Sequence, residues 1–164
     1  MELTIKVGLA SCGLAAGAGE VYSTIEKYLK KSKIKAELKK TACIGMCFVE
    51  PLVEISSENG NTVTYGDVSP ENIIELIEAY AKEKPINKNV ILSNILEGSE
   101  NEKLNNQTRI VLRNCGIIDA ESIEDYLEKD GYKALEKVVS SMSKKDIIEE
   151  IKRSCLRGRG GAGF

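Results

Sequence analysis

Residues 2–40 change hydrophobic period twice. ELTIKV at 2–7 alternates apolar and polar side chains, the period of a strand with one buried face. After the small-residue stretch SCGLAAGAGE, Val21, Ile25 and Leu29 recur at helical spacing. KIKAELKK at 33–40 returns to alternation, with Ile34, Ala36 and Leu38 on one side and charges on the other, a half-buried strand. A chain patterned in this way folds as strand, helix, strand, and that order commits it to an α/β sheet.

The pattern continues to residue 82. Cys43 to Pro51 reads as a loop. LVEIS and TVTYG flank Glu58-Asn59-Gly60-Asn61, where the Asn-Gly pair is a strong hairpin signal. Ser69-Pro70-Glu71 supplies a helix N-cap, a proline for the first turn and an acid suited to the dipole. Ile73, Ile74, Ile77 and Tyr80 form the apolar face of that helix. The expectation for 1–82 is an open mixed sheet with packed helices.

Residues 83–106 are polar and Asn-rich and read as a linker, although the apolar run VILSNIL within them must pack somewhere. In the remainder, 107–164, Asp119 is placed to cap a helix through Glu128, Asp130-Gly131 breaks it, and Tyr132 to Val139 resumes it. Ser143 with Asp146 three residues on forms a capping box for a third helix, whose core face is Ile147, Ile148 and Ile151. That helix runs into the glycine-rich end LRGRGGAGF.

Chemistry is concentrated in the cysteines. With net charge −2, the chain has no global attraction to nucleic acid, and no uncharged run approaches the roughly 20 residues needed for membrane insertion. MELTIKVGLASCG, with its early Glu2, does not read as a signal peptide, so a cytoplasmic location is expected and disulfides are disfavoured. The five cysteines then read as ligands or buried apolar groups. Histidine is absent, which removes Cys/His zinc fingers, Rieske clusters and His-dependent nucleophilic catalysis. Cys43 and Cys47 bracket a glycine-containing loop, and Cys12 follows the first strand. If the first two strands are neighbours, both loops leave one end of the sheet and the three thiols converge. Thiolates suit iron–sulfur clusters, and small residues such as Gly13 and Gly45 let backbone amides approach the sulfurs.

The segments SCGLAAGA at 11–18, CIGMCFVEPLV at 43–53 and TYGDVSPENI at 64–73 resemble the thioredoxin-like [2Fe-2S] ferredoxin domain. RIVLRNCG at 109–116, the run Asp-Gly-Tyr-Lys-Ala-Leu at 130–135 and LRGRGGAGF at 156–164 resemble the start of the FMN- and NADH-binding flavoprotein subunit of complex I-like NADH dehydrogenases and NAD(P)-linked hydrogenases. The resemblance implies a [2Fe-2S] electron-transfer domain at 1–82 and the truncated beginning of a flavoprotein domain at 107–164. It implies Cys12, Cys43 and Cys47 as cluster ligands. It also places Arg157, Gly158, Arg159, Gly160, Gly161, Ala162, Gly163 and Phe164 in the FMN and NADH pocket of the full-length parent. This chain alone is not expected to oxidise NADH, and no residue in it reads as a catalytic acid, base or nucleophile. Other subunits of a dehydrogenase or hydrogenase complex, and ferredoxin-like electron carriers, are the implied partners.

The resemblance departs at one ligand. The family carries four cysteines, and the fourth position falls on Val7, which cannot ligate. A non-cysteine oxygen ligand, a labile cluster and a lost cluster all remain open at this point. The other readings are a cluster-free thioredoxin-like docking module, a thiol-disulfide oxidoreductase (with three rather than two residues between Cys43 and Cys47) and a structural zinc site short of one ligand. Cys115 reads as packing, and Cys155 stands where the family usually has glycine.

Overall fold

The computed structural model describes residues 2–96 and 108–158. The chain divides into two compact units, Met1–Asp125 and Tyr126–Phe164.

The first unit is built on a five-stranded sheet. Strand β1 (Leu3–Gly8) is followed by a short helix α1 (Ser11–Ala15), helix α2 (Ala18–Leu29) and strand β2 (Ala36–Thr41). A single 3-10 turn, Cys47–Val49, leads into the hairpin of β3 (Val53–Ser57) and β4 (Thr62–Tyr65). Helix α3 (Ile73–Ala81) and strand β5 (Val90–Ser93) follow. The strand order is β2-β1-β3-β4-β5, with β1 and β2 parallel and the other pairs antiparallel. This is the open mixed sheet with packed helices that the alternating periods imply.

Side-chain alternation positions the core. On β1, Leu3, Ile5 and Val7 are buried while Thr4 and Lys6 are partly exposed. The antiparallel register sets Ile5 opposite Ile55 and Val7 opposite Val53. These side chains join Val21 and Ile25 of α2 and Ile73 and Ile77 of α3 in one cluster. Each such burial removes enough apolar surface to stabilise the fold by about 1.5–3 kcal/mol. On the opposite face, Lys6 and Glu54 are cross-strand neighbours and pair at 3.0 Å.

Two elements differ from the expectation. Helix α3 begins at Ile73, not at Ser69, because Ser69-Pro70-Glu71 closes a turn of its own: the Ser69 N–H donates to Asn72 Oδ1 at 2.9 Å. The run VILSNIL supplies β5, which lies along β4 with Val63 opposite Ser93. Asn94 Oδ1 accepts from the Thr62 N–H at 2.7 Å, and Asn94 Nδ2 donates to the Gly60 carbonyl at 2.8 Å, fastening the end of the strand to the hairpin.

Helices α4 (Ile123–Glu128), α5 (Lys133–Ser141) and α6 (Lys144–Ser154) follow. The cap of α4 is Ser122, whose Oγ accepts from the Asp125 N–H at 3.1 Å. Asp119 instead closes the preceding turn, accepting from the Glu121 N–H at 2.9 Å. The capping box of α6 is formed as its sequence predicts, with both Ser143–Asp146 bonds present. Its expected core face is not covered, since Ile148 and Ile151 are exposed. No helix among the described residues is long and apolar enough to cross a membrane.

Candidate metal centre

Because β1 and β2 run parallel side by side, their C-terminal ends lie together. Gly8 is in register with Thr41, and the Leu9 N–H donates to the Thr41 carbonyl at 3.0 Å. The chain leaving β1 carries Cys12 in α1, and the chain leaving β2 carries Cys43. Antiparallel β3 returns to the same end of the sheet, where the Gly8 N–H donates to the Leu52 carbonyl at 3.1 Å. The intervening loop is held by the Asp67 N–H on the Val49 carbonyl at 2.8 Å and the Val68 N–H on the Pro51 carbonyl at 3.1 Å.

The three cysteines converge. The Sγ atoms of Cys12, Cys43 and Cys47 all lie within 4.8 Å of one another, and Cys43 and Cys47 are 3.4 Å apart. Gly45, at φ +91°, turns the chain between them in a conformation that L side chains rarely adopt, and its N–H donates to Cys43 Sγ at 3.2 Å. Amide donors of this kind favour the thiolate and tune a bound metal.

The thiols are not alike. The Cys12 thiol is pushed up to about 12, first by its hydrogen bond with Cys43 and then by burial and Cys47. At Cys43 burial acts to raise the value, but the Gly45 N–H and the neighbouring thiols outweigh it and hold Cys43 below the ordinary thiol range. Cys43 thus loses its proton more readily than an ordinary thiol, and its sulfur neighbour at 3.4 Å is Cys47.

A fourth side chain enters the cluster. Glu50, only 8% exposed, sets Oε1 3.7 Å from Cys12 Sγ, and the thiol donates to it. Glu50 Oε2 accepts from the Leu52 N–H at 2.9 Å. Two glycines leave room for this carboxylate. A Cβ on Gly8 would fall 3.3 Å from Oε2, and one on Gly13 would fall 3.2 Å from Oε2 and 2.1 Å from the Gly8 carbonyl oxygen. Little in the sequence singles out Glu50, one acid among many; its sole cue is its place three residues beyond Cys47.

Val7, the position that the resemblance matches to a fourth cysteine, is fully buried in the core cluster. Beside the site, Phe48 is 81% exposed. Residues 109–116 lie against the cysteine loop: Arg109 Nη2 donates to the Ile44 carbonyl at 3.4 Å, and a Cβ on Gly116 would fall 2.5 Å from Ile44 Cγ2. Cys115 is partly buried and Cys155 exposed, and neither belongs to the converging group. Of the glycine-rich end, Arg157 and Gly158 are exposed, and Arg159, Gly160, Gly161, Ala162, Gly163 and Phe164 lie outside the described residues.

The donor set suits a soft or borderline metal: three sulfurs from two loops, one of them already inclined to ionise, with backbone amides close at hand. No protein-family model matches the chain. The NADP-reducing hydrogenase subunit HndB of Solidesulfovibrio fructosivorans is 30% identical over 84 residues, covering 50% of this chain and 67% of HndB. The chain belongs to the HndB family. HndC, another subunit of that NADP-reducing hydrogenase, is 55% identical over 58 residues, covering 35% of this chain and 12% of HndC. An NADH-quinone oxidoreductase subunit from Buchnera aphidicola subsp. Baizongia pistaciae is 57% identical over 42 residues, covering 26% of this chain and 10% of its own length. The chain thus spans about a tenth of the length of those two relatives. Among solved structures, a thioredoxin-like [2Fe-2S] ferredoxin from Aquifex aeolicus aligns at 22% identity and a TM-score of 0.47, over 55% of this chain and 96% of its own.

Proposed function

We propose that this member of the HndB family is an electron-transfer component of an NADH- or NADP-linked oxidoreductase complex, a hydrogenase or an NADH dehydrogenase. Cys12, Cys43 and Cys47 hold a [2Fe-2S] cluster in it. The observation that carries the reading is the meeting of these three Sγ atoms within 4.8 Å, from loops that follow two parallel strands. When bound, the cluster supplies one-electron chemistry. The protein's part is to hold it at the end of the sheet, with thiolate donors, the Gly45 amide directed at Cys43, and the exposed Cys47 toward solvent.

The same reading gives Phe48 a role. An exposed aromatic ring next to Cys47 offers a partner protein an apolar contact close to the cluster, where electron exchange needs short distances. Partners are then other subunits of the complex and ferredoxin-like carriers, in the cytoplasm. Residues from about 107 onward form the start of an FMN- and NADH-binding domain. Its glycine-rich loop, Arg157 to Phe164, approaches flavin and nucleotide phosphates in the assembled enzyme, with Arg157 and Arg159 as phosphate donors.

The test is anaerobic reconstitution with iron and sulfide, followed by optical and low-temperature EPR spectra before and after dithionite. Visible absorption that bleaches on reduction, with a reduced-state EPR signal that disappears in C43A, supports the reading. Failure to take up iron leaves a cluster-free docking module, whose partner would still engage Phe48.

A further inference from the structure

The three cysteines leave a two-iron cluster one protein ligand short, and the structure offers one oxygen donor in contact with them. We propose that Glu50 is the fourth ligand, its carboxylate sharing one iron with Cys12 while Cys43 and Cys47 hold the other. The inference rests on the reading that a [2Fe-2S] cluster binds here.

Geometry supports the pairing. A tetrahedral ion with bonds of about 2.0–2.3 Å separates its donor atoms by roughly 3.3–3.8 Å. Cys43 and Cys47 stand 3.4 Å apart, and Cys12 Sγ and Glu50 Oε1 stand 3.7 Å apart. Both pairs lie within about 0.4 Å of the spacing that two sulfurs, or a sulfur and an oxygen, take on one tetrahedral metal.

Electrostatics point the same way. Glu50 is buried, and among the described residues no lysine or arginine forms an ion pair with it. Lys6 lines the same cavity of about 30 Å³, yet its ammonium is committed to Glu54 at 3.0 Å. A buried carboxylate without a cation is costly unless something positive joins it, and a ferric ion bound at Cys12 does so. The Leu52 N–H orients the carboxylate through Oε2 and leaves Oε1 toward the sulfur. Gly8 and Gly13 clear the space that it occupies. One carboxylate and three thiolates carry the same total charge as four thiolates, so the cluster core needs no added compensation. Val7, the alternative position, belongs to the hydrophobic core.

The deciding experiment is Mössbauer spectroscopy of full-length protein reconstituted with 57Fe, beside E50C and E50Q. One oxygen and three sulfur ligands make the two ferric ions inequivalent, so oxidised wild type should give two quadrupole doublets of equal area. E50C should merge them while retaining both irons, and E50Q should bind iron several-fold less well. A single doublet in iron- and sulfide-replete wild type overturns the proposal. So do two doublets that persist in E50Q and E50C, which would assign the oxygen to solvent. If both variants fail to fold by circular dichroism, reduced wild type containing 13C-carboxylate glutamate decides by ENDOR. A resolved carbon coupling supports direct ligation, and its absence excludes it. Wild type that takes up no iron fails the cluster reading itself, a result distinct from all of these.

Discussion

Cys12 and Glu50, 38 residues apart in sequence, meet with Sγ 3.7 Å from Oε1, and the thiol donates to the carboxylate. Two features of the fold bring them together. Parallel pairing of β1 with β2 puts the Cys12 and Cys43 loops at one end of the sheet, and antiparallel β3 returns the Glu50 loop to that end. The contact belongs to no local motif, and its consequences are testable one residue at a time.

The first concerns which cysteines matter. Alanine at Cys12, Cys43 or Cys47 should lower iron retention after reconstitution several-fold, while C115A and C155A should retain the wild-type amount. Iron content after desalting separates the two groups. Equal loss from C115A would place Cys115 among the ligands, against its position outside the converging thiols.

Val7→Cys places a thiol at the position that the resemblance to the [2Fe-2S] ferredoxin domain matches to a fourth cysteine, and should not recruit it to the metal. Val7 is completely buried among Leu3, Ile5 and Val53, so the new sulfur would sit in the core. Removing its branched methyl should destabilise the domain by about 1 kcal/mol, with the EPR spectrum unchanged. Altered g-values in V7C would show that β1 can present residue 7 to the metal.

Gly13→Ala tests the space around Glu50. Its Cβ would lie 2.1 Å from the Gly8 carbonyl oxygen, a clash with backbone that rotation of a side chain cannot relieve. The expected cost is about 1–3 kcal/mol in chemical denaturation, together with weaker iron binding as the carboxylate is displaced. Wild-type stability and iron content in G13A would mean that the α1 turn is looser than this packing implies.

In the metal-free protein the thiols should react in order. Cys43 lies below the ordinary thiol range and Cys12 is pushed up to about 12, so iodoacetamide near neutral pH should label Cys43 well before Cys12. Peptide mapping after brief labelling reads this directly. Preferential labelling of Cys12 would reverse this order of acidity.

The capping box of α6 carries a pH dependence. Hydrogen bonds from the Ser143 hydroxyl and then its backbone N–H hold the Asp146 carboxyl below its ordinary value. A depressed folded-state value means stability present above the unfolded value of about 4 and lost as pH falls through the folded one. Helicity by circular dichroism should therefore decline on acidification in wild type and change less in D146N. Identical acid profiles would exclude the cap as the cause. At the other end of α6, Cys155 adopts φ +53° where glycine is unstrained, so C155G should raise thermal stability by about 1 kcal/mol.

Much of this is legible in the residues themselves. Strand β1, helix α2 and the hairpin announce themselves through clean period changes and an Asn-Gly turn, and parallel β1 and β2 follow from the intervening helix. The convergence of the cysteines is foreseeable once those two strands are neighbours. Strand β5 is not: four residues from VILSNIL contain no statement of which edge they join, and Asn94 settles it through contacts 32 and 34 residues away. The start of α3 is ambiguous in sequence because Ser69-Pro70-Glu71 satisfies both a cap signature and a turn, and Asn72 decides for the turn. Ile148 and Ile151 have helical spacing, but spacing cannot say whether anything covers them. Glu50 is hidden for the same reason, since a single acid acquires meaning only from what the fold sets beside it.

The most direct test of the central claim is the amount of iron and acid-labile sulfide per chain in protein purified and reconstituted without oxygen. The account predicts about two of each, with a reduced-state EPR signal of a single spin. One iron without sulfide, bound zinc, or no metal after careful reconstitution would contradict it and leave Cys12, Cys43 and Cys47 without the role assigned to them.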